Sequence, residues 1–201
     1  MRLIGRLTAP IMCFFITEGF RHTRNRRAYI KRMAMFALIS HIPYYLMVYG
    51  LPQNSVEFLF RQSVLFTFVV CLLILSVVES KRSLWVKIVI ITLYFCLSVF
   101  GDWGVFAPMW CLLFYVFHKR FKLQALFFTL FSLGFISFNY FSVGLKLADF
   151  AFRYGVLLSL FPLYFYNGER GGKSTPFNKW GFYCFYPVHM AALVAANFLL
   201  N

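Results

Sequence analysis

The first candidate catalytic residue is His189, in the run Phe182-Tyr-Cys-Phe-Tyr-Pro-Val-His189. It lies about eleven residues into the last apolar segment, near mid-bilayer depth at about 1.5 Å of rise per residue. An unpaired ionisable group in such surroundings is costly, so one that is present commonly serves a function. Imidazole exchanges a proton near neutral pH, which suits it to deprotonate an amine or a hydroxyl. The sequence predicts either catalysis or substrate contact by His189, or a structural hydrogen bond.

A second group of candidates follows the first apolar segment, in Glu18-Gly-Phe-Arg-His-Thr-Arg-Asn-Arg-Arg27. Arginine binds phosphate oxygens through paired N–H donors, so such a run suits a phosphate-rich cytosolic ligand. The alternative is a charge cluster that sets topology and meets anionic head groups. The candidate binding residues are Arg21, His22, Arg24, Arg26 and Arg27.

Three further motifs contain residues that can do chemistry. Asp102, in Gly101-Asp-Trp-Gly104, is either a helix N-cap or a carboxylate that orients a histidine or binds an amine. The turn Tyr166-Asn-Gly-Glu-Arg-Gly-Gly172 is either a plain loop or a phosphate contact through Asn167 and Arg170. Ser40-His-Ile-Pro-Tyr44 predicts either a kinked packing position or a polar pocket beside His41, where Pro43 frees a backbone carbonyl.

The elements that carry these residues are predicted to be membrane helices. The chain is 61% hydrophobic and only 13% charged, which excludes a soluble globular domain because too little polar surface is available. Eight apolar segments cover residues 3–20, 28–49, 58–78, 84–100, 105–117, 123–143, 150–166 and 178–200. The fifth is short for a spanning helix. We expect an all-α polytopic bundle of about eight transmembrane helices, with residues 1–201 as a single domain.

The distribution of basic residues among the connections predicts how the chain is oriented in the membrane. Most basic residues lie in the odd connections, which places those connections in the cytoplasm. They are Arg21, Arg24, Arg26, Arg27, Lys31, Arg32, Lys81, Arg82, Lys87, Lys119, Arg120, Lys122, Arg170, Lys173 and Lys179. The net charge of +14 therefore fits a membrane topology, and we expect no nucleic-acid partner. The five cysteines stand singly within apolar runs, so no metal site is expected.

Taken together, the motifs resemble those of the TraX family of membrane proteins from conjugation systems and related bacterial loci. The matching pieces are Ile4-Gly-Arg-Leu-Thr-Ala-Pro10, Glu18-Gly-Phe-Arg-His-Thr-Arg-Asn-Arg26, Ile39-Ser-His-Ile-Pro43, Asp102-Trp-Gly104, Tyr166-Asn-Gly-Glu-Arg-Gly171 and Phe185-Tyr-Pro-Val-His189. They occur in order and cover nearly the whole chain.

The resemblance implies a multi-pass acetyltransferase of the bacterial inner membrane, related to the broader transmembrane acyltransferases. Acetyl-CoA would be the donor, and the acceptor an amine or hydroxyl such as the pilin N-terminus or an envelope glycan. Carried over by position, the implied catalytic residues are His189 and Asp102. The implied donor-binding residues are Arg21, His22, Arg24, Arg26, Arg27, Asn167 and Arg170.

Two expectations qualify that implication. Members of the family carry an additional first helix ending in an Asp-His pair, so we expect a helix upstream of Met1 that this chain lacks. A non-enzymatic membrane assembly factor for pilus or envelope components is the alternative function. A transporter is a third and weaker one. Affinity for CoA would separate the enzyme from both.

Overall fold

The computed structural model describes the backbone of residues 2–51, 55–143, 154–166, 168 and 176–200. Regular structure in these ranges is helical apart from one isolated bridge between Gln62 and Gly101, which confirms the all-α prediction. The helices are α1 (Arg2–His22), α2 (Arg26–Tyr49), α3 (Ser55–Phe60), α4 (Val64–Glu79), α5 (Leu84–Ser98), α6 (Phe106–Val116), α7 (Phe121–Val143), α8 (Leu160–Tyr164) and α9 (Pro176–Leu200). A 3-10 helix, Tyr154–Ser159, leads directly into α8.

The helices follow the predicted apolar segments with one subdivision. The third segment is divided between α3 and α4. Residues 61–63 connect these two helices, and the backbone N–H of Gln62 donates to the Phe100 carbonyl, in the turn after α5, at 2.9 Å. The fifth segment forms α6, which has 11 residues. At about 1.5 Å per residue such a helix is roughly half as long as the hydrocarbon core is thick, so α6 alone does not span a bilayer.

Among the described residues, one helix is both long and apolar enough to cross a membrane. It is α7, whose window Phe121–Phe138 has a mean hydropathy of 1.6. Helices α1 and α2 have 21 and 24 residues but carry charged side chains near their basic connection, whereas α4 and α5 have 16 and 15 residues. The structure therefore shows one clear candidate span where the sequence predicts about eight.

The chain divides into two compact units. Unit 1 comprises Met1–His22 and Phe106–Glu169, and unit 2 comprises Thr23–Val105 and Arg170–Asn201. The prediction of a single domain over residues 1–201 stays a prediction. Each unit has its own packed core, described in turn below.

Unit 1 is organised by the parallel pairing of α1 with α6. Cys13 Sγ donates to the Ala107 carbonyl at 3.7 Å, and Thr17 Oγ1 lies 3.5 Å from the Cys111 carbonyl. Arg21 donates to the Tyr115 carbonyl. Each contact is one helical turn beyond the last, so the two helices run side by side in constant register. Small side chains line this interface and allow the backbones to approach closely.

Helix α7 completes the core of unit 1 by turning back along α6. Trp110 Nε1 donates to Ser132 Oγ at 3.1 Å, and the rings of Phe114 and Phe128 stack with centroids 5.6 Å apart. These partners lie progressively closer in sequence toward the connection, as antiparallel helices require. Lys119 closes the turn with φ of 62°.

Unit 2 is built around α4, whose residues Val70, Cys71, Leu72 and Leu75 are almost fully buried. Helix α2 packs on α4 and on α9. At one end Arg26 pairs with Glu79, and at the other Tyr44 pairs with Asp102. A β-carbon on Gly101 would lie 2.1 Å from Thr67 Oγ1, so the close approach of this turn to α4 requires glycine.

Candidate functional site

A buried carboxylate and two histidines meet at the end of α1. Glu18 lies in the last turns of the helix with its side chain only 11% exposed. One carboxylate oxygen, Oε1, is 3.0 Å from His118 Nδ1, and the other, Oε2, is 3.3 Å from His22 Nε2. We call Glu18, His22 and His118 the Glu18 cluster.

The register of α1 and α6 brings the Glu18 cluster together. Arg21, one turn beyond Glu18, donates to the Tyr115 carbonyl at the end of α6, and its guanidinium carbon lies 4.1 Å from the centroid of the Tyr115 ring. A cation at this position suits the negative end of the helix dipole. His118 follows the last turn of α6, and the left-handed conformation of Lys119 turns the chain directly after it. His118 is thereby fixed beside Glu18.

The two histidines differ in exposure. The side chain of His118 is 28% exposed and that of His22 is 72% exposed. In His118 the ring nitrogen Nδ1 faces Glu18, which leaves Nε2 for a ligand. A histidine held by a carboxylate through one nitrogen can transfer a proton through the other. Nε2 of His22 faces the other oxygen of the same carboxylate, and its ring is largely surrounded by solvent.

The five predicted phosphate-binding residues have different surroundings. Arg21 caps α6, and Arg26 donates to Glu79, with Nη2 3.2 Å from Oε1. Arg24 and Arg27 are exposed. His22 belongs to the Glu18 cluster. The structure thus leaves Arg24 and Arg27 as the predicted arginines whose side chains extend into solvent.

Asp102 is held by a tyrosine in unit 2. Tyr44 OH donates to Asp102 Oδ1 at 3.0 Å. Helix α6 begins four residues later, at Phe106, so Asp102 is not its N-cap, which was one of the two sequence interpretations. The hydroxyls of Ser63 and Thr67, near the start of α4, are buried and have no hydrogen-bond partner among the described residues. Asp102 itself is exposed, and its carboxylate accepts a hydrogen bond from Tyr44.

His189 lies on α9 and is exposed. Its ring stacks on Phe185, one turn earlier, with centroids 5.7 Å apart and planes 12° apart. Asp102 accepts its hydrogen bond from Tyr44, whereas the ring of His189 contacts Phe185. Their roles stay predictions. Asn167 and Arg170 lie outside the described residues.

Comparison with known proteins decides the family. Residues 1–196 match the TraX protein family. The chain belongs to the TraX family. A probable fimbrial assembly protein FimC, serogroup H1, from Dichelobacter nodosus is 32% identical over 208 residues, which cover 100% of this chain and 84% of that protein. No solved structure matches the chain.

His118 was absent from the residues predicted for this TraX family member. In the sequence it stands at the end of the short fifth segment, beside Lys119 and Arg120, and looks like part of a topology-setting basic turn. The available signal was the charge pattern, which places the ends of segments one and five on the same membrane face. That pattern does not show that α1 and α6 are neighbours.

His41 was predicted to lie beside a helix kink. Pro43 does lie inside α2, and Ser40 Oγ donates to the Phe36 carbonyl one turn earlier. The ring of His41 is buried against Phe58, with centroids 4.4 Å apart, and neither ring nitrogen has a well-formed hydrogen bond. This buried histidine belongs to the core of unit 2.

Proposed function

We propose that the protein is an integral-membrane acetyltransferase of the bacterial inner membrane. It moves an acetyl group from acetyl-CoA to an amine or a hydroxyl, with the pilin N-terminus as the favoured acceptor and an envelope glycan as another. Membership of the TraX family and the fimbrial name of the relative from Dichelobacter nodosus support a role connected with pili.

The outer surface of the helices supports insertion in a bilayer. On α5 only Ser98 is buried, whereas Leu84 and Trp85 are 69% and 78% exposed. Leu38 on α2 and Phe161 on α8 are 76% and 72% exposed. Lipid chains would cover these large apolar side chains at no hydrophobic cost.

The observation that carries the proposed chemistry is the Glu18 cluster. A buried carboxylate costs free energy unless it is paired, and here its two ion-pair contacts are with histidines. Such groups exchange protons during acyl transfer. Arg24 and Arg27 of the first connection are exposed, and their guanidinium groups suit the phosphates of CoA.

Asn167 and Arg170 are proposed to add to donor binding, and His22 and Arg21 lie at the same helix end. His189 and Asp102 are the residues that family resemblance offers for chemistry, with His189 as base and Asp102 at the acceptor. The histidines suit the acid–base chemistry of acetyl transfer, and the arginines suit the phosphates of CoA.

Donor binding tests this function. Thermal stability of the purified protein is measured against increasing acetyl-CoA in the wild type and in Arg24→Ala/Arg27→Ala. The control is Lys81→Ala/Arg82→Ala, which removes two exposed cations from another connection. We expect a saturable rise in melting temperature that the first variant loses and the control keeps. No rise in the wild type would contradict the proposal.

The second candidate is a non-enzymatic assembly factor for pilus or envelope components. The relative's name, a probable fimbrial assembly protein, favours it directly. Exposed aromatic side chains such as Phe138 and Phe165, each 67% exposed, offer a surface to a pilin helix within the membrane. This candidate needs no affinity for CoA, so the donor-binding measurement separates the two.

A further inference from the structure

Acetyl transfer to an amine or a hydroxyl requires a group that moves a proton from the attacking atom to the leaving sulfur. We propose that His118, oriented by Glu18, is this catalytic residue. The inference rests on the proposed acetyltransferase function and names a reacting group that neither the family match nor the relative's name provides.

The geometry favours His118 over the other histidines. Its Nδ1 is 3.0 Å from the Glu18 carboxylate, and Arg21 on Tyr115 together with the turn at Lys119 fixes its position. The buried carboxylate selects the ring orientation and stabilises the imidazolium that forms during the reaction. His189 is stacked on Phe185, with no carboxylate partner among the described residues. His41 is buried in the core of unit 2.

The proposed step balances as a proton shuttle. The acceptor nitrogen or oxygen attacks the thioester carbon of acetyl-CoA, forming a C–N or C–O bond as the C–S bond breaks. Nε2 of His118 takes the proton from the acceptor and passes it to the departing sulfur, which leaves as the CoA thiol. His118 therefore gains no net proton over the whole step, and Glu18 takes no direct part in the proton transfer.

The placement of His118 also agrees with the side from which the donor arrives. His118 is followed by Lys119, Arg120 and Lys122, and Glu18 is followed by the arginines of the first connection. By charge, both connections lie in the cytoplasm, where acetyl-CoA is found. The side chain of His118 is 28% exposed, so part of the ring is accessible to a ligand.

The test uses His118→Asn in the full chain. Asparagine keeps an N–H near the position of Nδ1 and can still donate to Glu18, but it lacks Nε2. The control is Lys81→Asn, which makes the change to asparagine at an exposed position in another connection. Glu18→Gln tests the positioning role, and His189→Asn tests the other predicted base. His118→Gln is a second variant should His118→Asn fail to fold.

The readout is the rate of CoA thiol release from acetyl-CoA in the presence of a synthetic peptide bearing the pilin N-terminus. Stabilisation by acetyl-CoA is measured on the same preparations. For His118→Asn we expect a loss of about 10²–10⁴-fold in rate with donor stabilisation retained. We expect Lys81→Asn to stay within a few-fold of wild type, and Glu18→Gln to lose rate with an unchanged KM for acetyl-CoA.

The outcomes separate the two proposals. If the wild type transfers acetyl and His118→Asn does so equally well, the role of His118 is wrong while the acetyltransferase function stands. If Lys81→Asn loses as much rate as His118→Asn, the loss is not specific to His118 and the assignment to His118 is overturned. If the wild type neither binds acetyl-CoA nor releases thiol with the peptide, the acetyltransferase proposal fails and the role of His118 fails with it.

Discussion

Lys119 has a backbone conformation that side chains disfavour. Its φ of 62° lies in the left-handed region, which costs a residue with a β-carbon about 1–2 kcal/mol. The strain falls directly after His118, and strained backbone commonly accompanies functional positions. The turn keeps His118 beside Glu18 at a small cost in stability.

Replacing Lys119 with glycine should therefore stabilise the protein. We expect Lys119→Gly to raise the free energy of unfolding by up to about 1 kcal/mol, because glycine adopts this conformation freely. The matched control is Lys31→Gly, an exposed lysine within the right-handed helix α2, which should lose about 1 kcal/mol. Both are compared by melting temperature in one detergent. A lower melting temperature for Lys119→Gly would show that the left-handed backbone conformation of Lys119 does not reduce stability.

The arginines of the first connection should contribute unequally to donor binding. Arg26 is committed to Glu79, whereas Arg24 and Arg27 are exposed. We expect Arg26→Ala to weaken acetyl-CoA binding by less than either Arg24→Ala or Arg27→Ala, measured by calorimetric titration. Equal losses from all three would show that Arg26 leaves Glu79 to bind the donor.

At the scale of the helices, the sequence predicted where each helix lies along the chain better than it predicted which helices pack against each other. The boundaries of α2, α5 and α7 follow from apolar length and flanking charge, so composition alone finds them. The parallel register of α1 and α6 depends on small side chains at their interface, where Cys13 contacts Ala107 and Thr17 contacts Cys111. Apolar periodicity does not identify such packing partners when lipid is as apolar as a neighbouring helix. The pairing of Glu18 with His118 follows from that register, and sequence reasoning missed it for this reason.

The interface between α1 and α6 should be sensitive to side-chain volume. Cys13 is fully buried against α6, so Cys13→Leu should cost about 1–3 kcal/mol through overpacking. Cys96 on α5 is exposed, and Cys96→Leu should change stability by less than about 0.5 kcal/mol. Thermal unfolding of the two variants measures the difference. Equal stability would mean that α1 and α6 are not packed in this register.

At the scale of the whole molecule, charge predicts which ends of the helices face the cytoplasm. Individual helices are less informative, because several are short or carry charges and α7 alone passes the length and hydropathy criteria among the described residues. The asymmetry of basic residues among connections is independent of helix length. The orientation and the number of crossings are therefore best measured directly.

Single cysteines in a cysteine-free background test the orientation. Ser55 lies after the second apolar segment and Arg82 after the third, and both are exposed. We expect Ser55→Cys to react with a membrane-impermeant maleimide in intact spheroplasts, and Arg82→Cys to react only after permeabilisation. Labelling of both positions in intact spheroplasts would contradict the assigned orientation.

The most direct test of the proposed acetyl transfer is the intact mass of pilin from otherwise identical cells with and without this protein. The account predicts that pilin from cells with the protein is heavier by one acetyl group at its N-terminus, and that the addition disappears when the gene is deleted. An unchanged pilin mass together with a loss of assembled pili would contradict acetyl transfer to pilin and favour an assembly factor.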